Sequence, residues 1–362
     1  MKRMLVTAAA SLVVVWMVGC SDSNSPTGGG GTNPPAFVDT TTFDTTTATF
    51  TTVLDASDPA VPKRFSFSDG SITPAPKVAL TGTWDIQFSR TNINLNGGAS
   101  SDGGNVRGAN LGNGKTFDAV TIADTAGAEW KEDALNSVIS DWLSYNPVTH
   151  QLDMTGFVYT MLDAEGDNYV KFRIDSLVGA AMPPDMGTVW ISYYYQPTPK
   201  STDLSGTIQT ASITVGAGEG YFDFSLGQQV FPTNPSNSTA WDLKFENYEV
   251  FQNSGPNGTG KCAAFQAYTT LTDSTAIDSL TAVPAGAPFF PDFISSVFNG
   301  SLTDDAQLWY DYNPETHILT SKGCVYLIDV DGTYYKMQIV SYYADVAGAP
   351  ASAHYTFIWK AL

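Results

Sequence analysis

Short stretches in which every second residue is apolar recur along the whole chain. Phe65 and Phe67, then Trp84, Ile86 and Phe88, alternate with polar neighbours in the first half; Phe222 and Phe224, then Trp241, Leu243 and Phe245, do so in the second. A period of two sends successive side chains to opposite faces of an extended backbone, so these segments predict strands with one buried face. Val158 and Tyr169 continue the pattern, and the runs VYLI and YYKMQI flank Asp331 and Gly332, a hairpin signal. Only residues 132–143 and 293–298 carry spacings that suit a short helix. The expected fold class is all-β and mostly antiparallel, with few short helices.

The chain also matches itself. RFSFSDG from Arg64 to Gly70 lies opposite YFDFSLG from Tyr221 to Gly227, and TGTWDIQF lies opposite STAWDLKF at the same spacing. Further on, WLSYNPVTHQL from Trp142 matches WYDYNPETHIL from Trp309, and Tyr169 and Lys171 align with Tyr334 and Lys336. Several motifs in the same order predict a tandem duplication, with two β domains at residues 40–205 and 206–362, each long enough to fold alone.

The N-terminus departs from this pattern. Lys2 and Arg3 precede an apolar run that ends in MVGC at Cys20, the layout of a secretory signal with a lipidation site. The run, from Met4 to Val18, is shorter than the roughly 20 residues that span a bilayer. The reading is a signal peptide over 1–19, cleavage before Cys20, diacylation of its thiol, and a flexible Ser/Gly/Pro tether over 20–39 that holds a folded body off the outer membrane. The 36 acidic residues against 17 Lys plus Arg give a formal charge of −19, which loss of Lys2 and Arg3 takes to −21. Such a chain lacks the basic face that phosphate neutralisation needs, so nucleic acid is excluded as a partner.

Candidate chemistry is sparse. The chain has three His, namely His150, His317 and His354, and no GxSxG, HExxH or SxxK pattern, which argues against an enzyme. No metal site is expected. His150 and His317 occupy the same place in NPxTHxL and read either as turn residues or as ligands. Asp329 to Thr333 resembles the start of a calcium loop, but Val340 stands where the closing Glu would be, so a hairpin is expected. The glycines from Gly97 to Gly114 read as a mobile surface loop. Cys262 and Cys324 both fall in the second repeat of an exported chain, and a disulfide between them is the expectation.

Taken together, WDIQFSRTNINLNGG from Trp84, WDLKFENYEVFQNSG from Trp241, WYDYNPETHIL, GCVYLIDVDGTYYKMQIVSYY and the final HYTFIWK resemble the HmuY family of surface lipoproteins. The resemblance implies an all-β fold and haem capture, with delivery to a TonB-dependent outer-membrane receptor. It also implies two axial iron ligands, His or Met. The position of one family ligand after Trp309 falls on Pro314 (Pro147 in the first repeat), so His317 and His150, three residues further on, are the candidate haem ligands. Met154, Met161, Met182, Met186 and Met337 are the available thioethers. A second reading keeps the fold but assigns another ligand, a glycan or a receptor, contacted by Tyr193, Tyr194, Tyr195, Tyr342 and Tyr343.

Overall fold

The computed structural model describes residues 37–362 except 76–83, 147, 149–150, 180–184, 274, 301–307 and 347. The signal segment, Cys20, most of the tether and His150 lie outside the described residues. The fold is all-β, as the alternation predicts: every strand pair is antiparallel, and the helical turns are short 3-10 turns.

Two sandwiches make up the molecule. One packs a six-stranded sheet, in spatial order Thr40–Asp44, Thr49–Asp55, Ala349–Ala361, Thr333–Val346, Val325–Val330 and Val106–Asn110, on a four-stranded sheet of Ile72–Pro74, Lys63–Phe65, Ile86–Ser89 and Asn92–Leu95. Their inner faces share one aromatic cluster, with Phe65 against Phe357 at 5.1 Å, Phe88 against Phe357 at 5.3 Å and Phe67 against Tyr335 at 4.9 Å. The other packs Gln209–Thr214, Thr188–Tyr195, Tyr169–Val178, Val158–Leu162 and Ala263–Phe265 on Gln228–Val230, Gly220–Asp223, Leu243–Glu246 and Glu249–Gln252. Phe172, Tyr193, Phe222, Phe224 and Phe245 fill its core. Inward residues of each strand come at every second position, because a sheet hides one face only by laying it on another sheet.

The cores do not follow the expected boundary at 205/206. The sheet formed early in the first repeat is covered by the last three long strands of the chain, whereas the late strands of the first repeat are covered by the early strands of the second. One body is therefore split, drawing its core from residues before 131 and after 296, and the other is a continuous insertion between about 134 and 295. Strand alternation specifies which face of a sheet is buried; it does not specify which other sheet buries it.

The same positions do the same work in both bodies. Buried Lys336 donates to the carbonyls of Phe117 and Val120 at 2.7 and 2.8 Å, and buried Lys171 donates to those of Ile277 and Leu280 at 3.0 and 2.8 Å. Each lysine thus pins one 3-10 turn, Phe117–Ala119 or Ile277–Ser279, to its sheet, adding a donor to a carbonyl that also accepts the amide of Val120 or Leu280 at 3.3 Å and supplying one to the carbonyl of that capping residue.

The two segments expected as helices each begin as a short strand instead, and only Ser140–Trp142, near the end of the first, forms a 3-10 turn. Ala134–Asn136 and Phe293–Ser295 pair with each other, and Asn136 Nδ2 donates to Ser295 Oγ at 2.7 Å. They are the two crossings between the bodies, and mutual pairing satisfies backbone groups that a helix would have satisfied internally. The glycine-rich stretch is also more ordered than a surface loop: Val106–Asn110 is a strand, and a Cβ at Gly98, where φ is +58°, would lie 2.1 Å from the Asp133 carbonyl oxygen. The Asp329 to Thr333 segment is a hairpin turn, with Val330 opposite Thr333 and Asp329 held by Arg107 at 2.7 Å.

Candidate ligand-binding clefts

Where each crossing segment passes the edge of a sheet it opens a cleft. In the inserted body Ser137 Oγ donates to the Val250 carbonyl, the Val138 amide donates to Asp292 Oδ1 at 3.1 Å, and Gln266 Nε2 donates to the Val138 carbonyl at 3.1 Å. These bonds hold the crossing away from Ala263–Phe265 and leave a cavity of about 580 Å³, walled by Leu135, Val138, Phe265, Pro288, Phe290 and Phe293, with Asp141 and Glu249 among its polar residues. None of its lining residues is Lys, Arg or His. Burial raises the Glu249 carboxyl above its ordinary range. The lining combines seven apolar with seven polar residues, and its volume is in the range of small-molecule sites.

The split body has a cleft at the corresponding place, with different chemistry. Ser296 Oγ donates to the Ile93 carbonyl at 2.6 Å, matching Ser137 on Val250, and a cavity of about 530 Å³ opens beside Val297, the counterpart of Val138. Here Lys131 and Glu129 stand where Phe290 and Pro288 stand in the inserted body, and Asn110, Asn113, Lys322 and Cys324 complete the lining.

A buried carboxylate anchors each crossing. Asp133 Oδ2 accepts from the Leu95 amide and Asn94 Nδ2, both at 3.0 Å, and Asp292 accepts from the Val138 and Gln252 amides, Gln252 Nε2 and Asn257 Nδ2. Burial pushes both carboxyls up to about 6 despite these donors. The folded chain therefore keeps protons that the unfolded chain releases near its ordinary carboxylate pKa. The resulting stabilisation is complete below about pH 4 and is lost as pH rises through 6. The thermal midpoint is expected to rise as pH is lowered from about 7.5 to about 5, and Asp133→Asn with Asp292→Asn should flatten that rise. A midpoint that falls over this interval would contradict the assignment.

The residues singled out from sequence lie elsewhere. His317 is exposed, in the turn between Tyr310–Asn313 and Ile318–Ser321, with φ +57° and its Nδ1 2.5 Å from the Tyr312 hydroxyl. Met161, Met186 and Met337 are fully buried in the cores, and Met154 packs against the inserted core. His354 is buried beside Asp55 and bonded to the Ser352 carbonyl. Among the described residues no His or Met faces His317 across a cavity, so these residues do not fit a His/Met axial pair for haem iron; His150 and Met182 lie outside the described residues. The expected disulfide is corrected as well: Cys262 and Cys324 are free and buried in different cores, because the strands that carry them belong to different bodies. Tyr193 and Tyr342 are core residues, and Tyr194, Tyr195 and Tyr343 pack against cores, so they form no aromatic surface. Among the described residues no group of three or more His, Cys, Asp or Glu is gathered as for a metal.

A family model described as HmuY protein matches residues 63–195 and 218–359. Among solved structures, a candidate HmuY-like heme binding protein from Bacteroides vulgatus is 11% identical with a TM-score of 0.33, covering 89% of this chain and 95% of that one. A candidate lipoprotein from Bacteroides fragilis is also 11% identical, with a TM-score of 0.29, covering 88% of this chain and 91% of that one. No curated protein matches.

Proposed function

Because the chain belongs to the HmuY family, a family of binding proteins and not of enzymes, we propose that it is a lipid-anchored carrier. On this reading it holds a flat, mostly apolar ligand, a haem or a related porphyrin, in the cleft of its inserted body. The observation that carries the reading is the apolar wall of Val138, Phe265, Phe290 and Phe293 around a cavity of about 580 Å³. The lipidation pattern at Cys20 and the tether behind it support attachment to the outer membrane, and hand-over to a TonB-dependent receptor is the step such an anchored carrier would serve. Contact with the ring faces, and not ligation by His317, supplies the affinity.

This has a spectroscopic consequence. Metal-free protoporphyrin and haemin should bind with similar affinity, His317→Ala should leave both unchanged, and Phe290→Asp should weaken both by about tenfold or more, since it places a charge against a buried apolar ring. Absorbance and fluorescence titration of the full chain reads all three. Absence of saturable binding for either porphyrin would overturn the reading, and loss of haemin binding alone in His317→Ala would restore iron ligation. A second reading, an uncharged apolar ligand instead of a porphyrin, is favoured by one feature: the cleft lining has Asp141 and Glu249 but no cation to meet the propionates.

A further inference from the structure

The two large sheets have four edges, and two of them are bridged by a further segment. Val106–Asn110 is bridged by Lys131 at Gly108, and Ala263–Phe265 is bridged by Phe290 at Ala264. Thr49–Asp55, which flanks the Ala349–Ala361 strand, is covered by Thr40–Asp44 along its length, from Thr40 opposite Val53 to Asp44 opposite Thr49. Gln209–Thr214 holds the corresponding place beside Thr188–Tyr195, and among the described residues no strand pairs with its other side.

Its free groups can be identified. The Thr214 amide and carbonyl turn away from the sheet and bond to the side chain of Gln229 at 3.0 and 2.8 Å. Since backbone direction alternates, Thr210 and Ser212 present their amides and carbonyls on the same open side. Asp39 caps the other body in the same manner, Oδ1 accepting from the Asp55 amide at 2.7 Å, but there the strand Thr40–Asp44 takes up the remaining positions. In that body Thr41 of the covering strand donates to the Gly70 carbonyl at 2.8 Å. The matching turn of the inserted body has Gly227, and Leu226 beside it is 61% exposed. The edge carries no Lys, Pro or bulge of the kind that guards an open strand.

We propose that Gln209–Thr214 is an acceptor for strand addition, taking one extended peptide of a partner in which hydroxyl residues are followed by an aromatic, as in the TTTF of the chain's own covering strand. Main-chain pairing with Thr210 and Ser212 supplies the binding, and the exposed Leu226 lies beside the path of the added strand. This proposal does not depend on what occupies the cleft of the inserted body.

The test uses the full chain and a fluorescent peptide of residues 37–47. Saturable binding is expected, with new protection of the Thr210 and Ser212 amides against hydrogen exchange. Ser212→Pro, which removes an outward amide that the sheet does not use, should weaken binding by about tenfold with no change in thermal midpoint. If that variant is destabilised, the exchange pattern of the unmodified chain still decides the matter. No saturable binding, or protection confined to Thr49–Asp55, overturns the proposal. Protection of Thr210 and Ser212 by self-association without peptide also overturns it, and makes a second copy the occupant.

Discussion

A fragment of residues 134–295 should fold by itself as a monomer with a cooperative thermal transition, whereas residues 40–205, one full sequence repeat, should not. The inserted body is continuous in sequence and holds both sheets and the aromatic core between them. The repeat fragment instead combines a four-stranded sheet that has lost Tyr335, Phe357 and Trp359 with long strands that have lost Phe222, Phe224 and Phe245. Fully burying one large apolar side chain is worth about 1.5–3 kcal/mol, so exposing Phe65, Phe67, Phe88, Phe172 and Tyr193 together removes about as much as the whole stability of a typical domain. Circular dichroism, a melting curve and size-exclusion chromatography on the two fragments measure the difference. A cooperative, monomeric 40–205 would show that the cores are separable along the repeat boundary.

The largest single-residue effect is expected at Asp242. Its carboxylate is fully enclosed and accepts from two backbone amides, Phe224 on Oδ2 and Ala164 on Oδ1, both at 2.7 Å. Ala164 lies in a repeat other than that of Asp242, so this one side chain ties the two sheets of the inserted body together. Asp242→Ala leaves two buried amides without acceptors, a loss of about 2–6 kcal/mol at about 1–3 for each. Its counterpart Asp85 accepts from the Phe67 amide at 2.6 Å, so Asp85→Ala should cost less. Burial also pushes the Asp242 carboxyl up to about 8. Its contribution is therefore complete at acid pH and lost as pH rises through 8, and Asp242→Ala should remove that part of the slope. Urea unfolding at two pH values gives both quantities. Equal losses for Asp242→Ala and Asp85→Ala would contradict the argument.

The paired lysines show where sequence comparison reached far and where it stopped. Lys171 and Lys336 align in the two repeats, yet nothing in their neighbours announces that each is buried and holds carbonyls about a hundred residues or more away. The cleft was less visible still. Phe290 lies in a stretch without clear periodicity and Phe293 opens one whose spacing suits a short helix, and they become a wall only because Ala264 pairs with Phe290 and Ile294 with Leu135. His317 attracted attention as a rare residue in a repeated motif, but its turn is exposed and its ring is engaged by Tyr312, five residues away. Local contacts of that kind use up a candidate ligand without leaving a trace in the pattern.

Alternation of apolar and polar residues determined the all-β class, the buried face of each main strand, the hairpin at Asp331 and Gly332, and the recurrence of motifs through the chain. These follow from backbone geometry acting over a few residues, which the order of side chains records directly. Only the tertiary structure decided which sheet covers which, that the crossings at 134–136 and 293–295 are paired strands, that the two cysteines lie apart, and that one cleft is more apolar than the other. Those outcomes depend on contacts between segments far apart in the chain, and any sheet with one apolar face can be covered by any other until the connections and the fit of the aromatic side chains select one arrangement.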